Sequence, residues 1–182
     1  REAERPIYVE VFESDGTKVI DQAAGVRLSG GYSRVPDQKS LRLIARKSYD
    51  PDNGKFKYAF FEGAQTADGV PVSEFDRIVL RNGANDREFA GVRDELSQKL
   101  AQDYGYPVTQ HCTPAAVFLN GEYYGYSWVH ENYNEDYLAT YFGGNKDNYE
   151  IVSNIEDADE GSERALEDYG KLYAYYDRDL TD

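Results

Sequence analysis

Residues 25–44, Gly-Val-Arg-Leu-Ser-Gly-Gly-Tyr-Ser-Arg-Val-Pro-Asp-Gln-Lys-Ser-Leu-Arg-Leu-Ile, read as a strand, a small polar turn and a second strand. Val26 and Leu28 lead into Ser29, Gly30, Gly31, Ser33 and Arg34, and Lys39 opens the strand that leaves. Two glycines let a backbone approach a ligand closely, and the free N–H groups of such a turn form an anion cradle. Lys39 shares strand parity with Leu41 and Leu43, which predicts that it points to the apolar side of the sheet. An unpaired buried ammonium is costly, so this parity asks for an acidic partner or an anionic ligand. A glycine turn followed by an inward lysine is how a nucleotide-phosphate site is built. The plainer reading of the same residues is a hairpin whose Lys39 extends to solvent from the strand end.

Outward from this stretch, residues 7–12 are β-branched and aromatic, and Ser14-Asp15-Gly16 turns them into a strand at 18–20. The two strands around the glycine turn span residues 24–29 and 39–45. Turn chemistry at 50–54 leads to a strand at 57–61, and residues 75–80 form another that Asn82-Gly83 stops. Asn85 or Asp86 caps a helix running to about residue 103, with Phe89, Val92, Leu96 and Leu100 as its apolar stripe. Residues 114–119 and 122–130 flank Asn120-Gly121, the strongest short hairpin signal there is. Alternation along that hairpin places Tyr124, Tyr126 and Trp128 on one face. A short helix at 135–142 ends at Gly143-Gly144, a brief strand follows at 149–152, and residues 162–176 form a helix with Leu166, Tyr169, Leu172, Tyr173 and Tyr176 on one side. Strands first and helices late predict an α+β fold with a mostly antiparallel sheet.

At 182 residues the chain is long enough to bury a core. A net charge of −14 argues against nucleic acid or an anionic membrane as partner. No apolar run approaches a membrane span, and no signal peptide is present. Cys112 is the only cysteine, so no intrachain disulfide forms. Seventeen tyrosines, no methionine and this acidity suit an extracellular or surface-exposed bacterial protein. Both ends read as cuts in a longer protein.

Several chemistries find no support. A serine hydrolase lacks its Gly-x-Ser-x-Gly elbow, and His111 and His130 are the only histidines. His111-Cys112 is one adjacent pair without a second, so it reads as the filling of a strand entry rather than as structural zinc. Asp157-Ala-Asp159-Glu160-Gly161 resembles the opening of a calcium loop but lacks the position-6 glycine, and Asp168 stands where a glutamate belongs. It reads as a solvated acidic loop. Tyr123, Tyr124, Tyr126 and Trp128 could stack on sugar rings or pack a core.

Three ordered blocks resemble the CotH kinase family, named for a spore-coat protein. They are residues 25–34 with 38–43, residues 75–86 followed by the Arg93-Asp94 helix, and residues 118–126 running on to Glu131 and Tyr137. The resemblance covers roughly residues 20–182. It implies an atypical protein kinase that transfers phosphate from ATP, with magnesium, to Ser/Thr of a secreted or coat protein. Residues 1–182 would then be one domain truncated on its C-terminal side: leading strands at 1–22, a nucleotide-facing sheet lobe at 23–132 and the start of a helical lobe at 133–182. The turn from Gly30 and Gly31 through Ser33 to Arg34 would act as the phosphate loop, and Lys39 would bind ATP phosphates. Asp94 or Glu95 would hold Lys39, and Glu131 would lie near the segment joining the lobes. In this family the catalytic Asp/Asn loop and the metal-binding Asp come after the stretch that matches here, so the segment alone should be inactive. A binding module for polysaccharide or a surface protein, on the same fold, is the alternative.

Overall fold

The computed structural model describes residues 3–153, 157–160 and 163–177. The chain forms two compact units. The first comprises Arg1–Ala64 with Pro71–Asn132, and the second Gln65–Val70 with Tyr133–Asp182.

In the first unit, β1 (Arg5–Phe12) turns at Gly16 into β2 (Lys18–Leu28). After the glycine turn come β3 (Leu41–Ile44), the short pair β4 (Phe56–Lys57) and β5 (Glu74–Phe75), and β6 (Arg77–Arg81). Helix α1 (Arg93–Asp103) precedes the hairpin of β7 (Cys112–Leu119) and β8 (Glu122–Glu131). Six of these strands make one antiparallel sheet in the order β1-β2-β3-β6-β8-β7. Insertion of β8 beside β6 brings residues near 80 and 130 into register, with Val79 opposite His130 and Arg81 opposite Trp128. Ile20, Ala24, Leu43, Ile44, Ile78 and Val129 are buried along the sheet. Phe56, Phe60, Phe61 and Phe75 add an aromatic cluster in which Phe75 meets Phe60 and Phe61 edge-on at centroid distances of 5.8 and 5.3 Å.

The α+β architecture is as the sequence predicts, and so is the hairpin turn. Asn120 and Gly121 take φ of 51° and 84°, the left-handed pair that a two-residue turn matched to strand twist requires. Several elements differ from expectation. Strand β2 runs unbroken across the predicted gap at 21–23, because β1 pairs with it along its length. Of the strand expected at 57–61, only Lys57 is in a ladder, and Phe60 and Phe61 serve the aromatic cluster instead. The strand expected from Lys39 begins at Leu41, so Lys39 lies in the turn and strand parity does not govern it. The helix expected from 85 splits into a single 3-10 turn at Ala84–Asp86 and α1. Asp86 still caps α1, at a distance: its Oδ2 accepts the N–H groups of Val92 (3.0 Å) and Arg93 (3.1 Å).

Helix α1 is also mounted the other way round from its apolar pattern. Val92, Leu96 and Leu100 are 41%, 55% and 49% exposed, whereas Glu95 is buried. Its inward contacts are polar: Gln98 Oε1 accepts Gln110 N–H at 2.9 Å, and Gln102 Nε2 donates to Gln110 O at 3.3 Å. A β-bulge at Tyr124, between the pairs Val117–Gly125 and Phe118–Tyr123, breaks the expected three-ring face. Tyr126 and Trp128 stay together, 5.6 Å between ring centroids, while the Tyr124 hydroxyl accepts the Lys39 N–H at 2.6 Å.

In the second unit, α2 (Glu135–Phe142) is capped by Asn134, whose Oδ1 accepts Tyr137 N–H at 2.9 Å, and ends at Gly143 with φ of 77°. Tyr137 meets Tyr133 edge-on at a centroid distance of 4.9 Å and Tyr141 at a tilt, 4.7 Å away. Ala67 N–H donates to Thr140 O at 2.9 Å, tying the 65–70 segment to this helix. A hairpin of β9 (Ile151–Ser153) and β10 (Asp157–Glu160) precedes α3 (Glu163–Tyr176). The acidic stretch read as a solvated loop is therefore a strand up to Glu160, and Gly161 lies outside the described residues. No helix among the described residues is long and apolar enough to cross a membrane.

Candidate functional site

The glycine turn between β2 and β3 is held from beneath by one asparagine. Asn82, at the end of β6, donates from Nδ2 to Ser33 O (3.1 Å) and Gln38 O (2.6 Å). Its Oδ1 accepts Ser40 Oγ–H (2.9 Å) and Ala84 N–H (3.0 Å), and its own N–H donates to Ser40 Oγ (3.1 Å). Strand β8 supplies the second fastening, since Gln38 Nε2 donates to Tyr126 O (2.6 Å) and Ser127 Oγ (3.2 Å). Asn82 and Gln38 between them fasten the turn at Ser33, Gln38 and Ser40, so it is a set shelf rather than a loose link.

On that shelf Gly30 and Gly31 are exposed, Gly30 at φ of 82°. Neither glycine N–H donates to a partner among the described residues. A side chain at Gly30 would collide with Ser33 Oγ, while the space around Gly31 is open. Ser33 and Arg34 face inward. Ser33 is buried with Oγ donating to Ser29 O (3.1 Å), and Arg34 Nη2 donates to Leu28 O (3.2 Å).

Lys39 departs from expectation. Its ammonium folds back onto its own turn, donating to Val35 O (3.1 Å) and Pro36 O (2.5 Å), and makes no ion pair among the described residues. The acids expected to hold it are engaged elsewhere. Asp94 pairs with Arg81 of β6, and Glu95 Oε1 lies 2.9 Å from Nε2 of the fully buried His130. The reason is the one that moved Lys39 off the strand: α1 lies over the β6–β8–β7 part of the sheet, and the lysine belongs to the turn.

Glu131, at the end of β8, is buried and accepts the His111 N–H at 2.8 Å, with Nδ1 of the same histidine 3.1 Å from Oε2. Gln110 Nε2 donates to Glu131 O at 2.8 Å. This carboxylate thus pins the chain entering β7 to the end of β8. Cys112 stands opposite His130 in the β7–β8 register. Burial first, and then the charges of Glu95 and Asp94, push its thiol up to about 11, so it is protonated and unreactive at neutral pH.

The residues expected to act together therefore fall into three places. Gly30, Gly31, Ser33, Arg34 and Lys39 share the turn, Asp94 joins Arg81, Glu95 and His130, and Glu131 joins His111. Sequence reasoning missed Asn82, Ser40 and Gln38 as the frame of the turn. Their bonds span 42 to 89 positions, so no local pattern marks them.

The sequence that builds this sheet and its fastened glycine turn has a match at the level of family. The model of the family described as CotH kinase protein covers residues 26–180, and the chain belongs to that family. The class of function that goes with it is kinase-like. No curated protein and no solved structure matches the chain.

Proposed function

We propose that this chain is the nucleotide-facing part of a secreted, atypical protein kinase that transfers phosphate from ATP to Ser/Thr of an extracellular or coat protein. The family match over residues 26–180 carries the reading. The shelf supports it: two exposed glycine amides without acceptors, on a turn held by buried hydrogen bonds, suit the oxygens of a phosphate chain. On this reading Gly30, Gly31 and Lys39 touch nucleotide, the Lys39 ammonium exchanging its two carbonyl partners for phosphate oxygens. Ser33 and Arg34 shape the turn from inside. Magnesium on the nucleotide supplies charge neutralisation for transfer, and the acids that hold it belong to the family's downstream segment. Residues 1–182 alone then bind ATP weakly and transfer no phosphate.

Radiolabel transfer from ATP, with this segment and a longer chain side by side, tests the proposal. The longer chain labels an acceptor and Lys39→Ala abolishes the label. Robust Lys39-dependent labelling by the segment alone would place the catalytic acids among its own residues, and no ATP binding by either chain would overturn the nucleotide reading. A second reading, an adhesive module for polysaccharide or a surface protein, has one favouring observation. Phe118 and Tyr123 meet edge-on at the hairpin tip while 59% and 63% exposed.

A further inference from the structure

The polar layer under α1 contains a group of side chains with the chemistry of a metal site. One ligand atom from each of Asp94, Glu95 and His130 lies within 4.8 Å of the other two. Metal–nitrogen and metal–oxygen bonds of about 2.0–2.2 Å place tetrahedral ligands roughly 3.4 Å apart, so the widest pair needs a contraction of up to about 1.4 Å. His130 Nε2 and Glu95 Oε1, 2.9 Å apart, are already that close. The donors come from adjacent helix positions and from a central strand, which fixes Glu95 and His130 by burial and leaves Asp94 partly open to solvent as an entry.

Burial holds the histidine of the group in place. His130 is 0% exposed, and its Nδ1 has no hydrogen-bond partner among the described residues. A metal at this group binds Nε2, the ring nitrogen beside Glu95 Oε1, and displaces the proton that the pair shares.

We propose that Asp94, Glu95 and His130 bind one borderline dication of the Zn²⁺ type. An imidazole nitrogen with two carboxylate oxygens favours zinc or a neighbouring transition metal over magnesium, which prefers oxygen and keeps its waters. The site differs in ligand chemistry from the magnesium that accompanies ATP and does not depend on the kinase reading. Arg81 is its internal competitor, because the guanidinium that pairs with Asp94 must give up that carboxylate when the metal enters.

Calorimetric titration of the 182-residue chain with Zn²⁺ in excess Mg²⁺ tests this, with Co²⁺ absorption as a second readout. One equivalent saturates the chain, and Co²⁺ develops the intense visible bands of a low-coordinate site. Asp94→Asn and Glu95→Gln each weaken binding at least about tenfold. Arg81→Met strengthens it several-fold, which a purely structural ion pair would not do. Asp103→Asn, on the same helix, leaves affinity unchanged. Circular dichroism of each metal-free variant establishes that it is folded, and paramagnetic broadening of the His130 ring signals by Co²⁺ reports the histidine without a substitution in the core. Several weak equivalents that Mg²⁺ displaces would overturn the proposal, since a chain of charge −14 collects cations loosely. So would parent-like affinity in Asp94→Asn and Glu95→Gln, or an Arg81→Met variant that binds no tighter.

Discussion

The glycine turn and the α1–β8 junction are both polar, and they spend their hydrogen bonds in opposite ways. Around the turn, the frame is satisfied by Asn82, Ser40 and Gln38, and the exposed glycine amides are left over. At the junction, carboxylates are matched with a guanidinium and an imidazole beneath the helix, and the helix turns its leucines outward. A frame that needs no ligand to hold its shape can offer donors to one that diffuses in. A junction made of mutual pairs instead fixes one element on another, and removing Glu95 leaves His130 buried and unmatched.

The sharpest break in this comparison is Glu95→Ala. Removing one member of a buried charged or polar pair costs about 3–5 kcal/mol, so denaturant unfolding should show the largest loss here, with His130 stranded at 0% exposure. Asn82→Ala comes next. It removes the Nδ2 bonds to the Ser33 and Gln38 carbonyls and the acceptor of the Ser40 hydroxyl, and a loss of about 2–3 kcal/mol follows. The same substitution should raise hydrogen exchange across residues 29–40 while leaving the β7–β8 hairpin protected. Equal loosening of both regions would erase the distinction.

Asp86 gives a smaller, pH-dependent effect. Burial acts to raise its carboxyl, but the amides of Arg93 and Val92 and the Arg93 charge outweigh it, holding the group below the ordinary carboxylate range. A carboxyl depressed on folding contributes stability above its unfolded value and loses it as pH falls through the folded one. Asp86→Asn should therefore flatten the acid limb of the stability curve below about pH 4, where the parent loses this contribution. The smallest effect is the most diagnostic for α1. Leu96→Ser should change stability by no more than about 0.5 kcal/mol because the side chain is 55% exposed. A loss of about 2 kcal/mol or more would mean that the apolar stripe is core after all.

Those outcomes bear on what could be read before the fold was seen. Local chemistry was legible wherever a few adjacent residues suffice. Asn120-Gly121 is a hairpin because those two residues tolerate positive φ, and residues 135–142 are a helix because Asn134 caps them and Gly143 ends them. The three blocks that resemble the CotH kinases are linear patterns too, and the family match over residues 26–180 agrees with them. Orientation was not legible. The spacing of Val92, Leu96 and Leu100 describes an apolar stripe without saying which face meets the sheet, and here the face bearing Glu95 docks because β8 presents His130 to it.

The position of Lys39 has the same cause. Parity counts only inside a strand, and β3 begins two residues after the lysine, where Leu41 first pairs with Leu28 and Leu80. The sequence by itself determined the alternation of apolar residues, the turns and the order of elements, since each depends on neighbours along the chain. Only the tertiary structure decided that Asn82 reaches Ser33 and Gln38, and that α1 sets Glu95 against His130. Those contacts join residues 35 to 49 positions apart, and they exist because β6 lies beside β3 in the sheet and α1 meets β8.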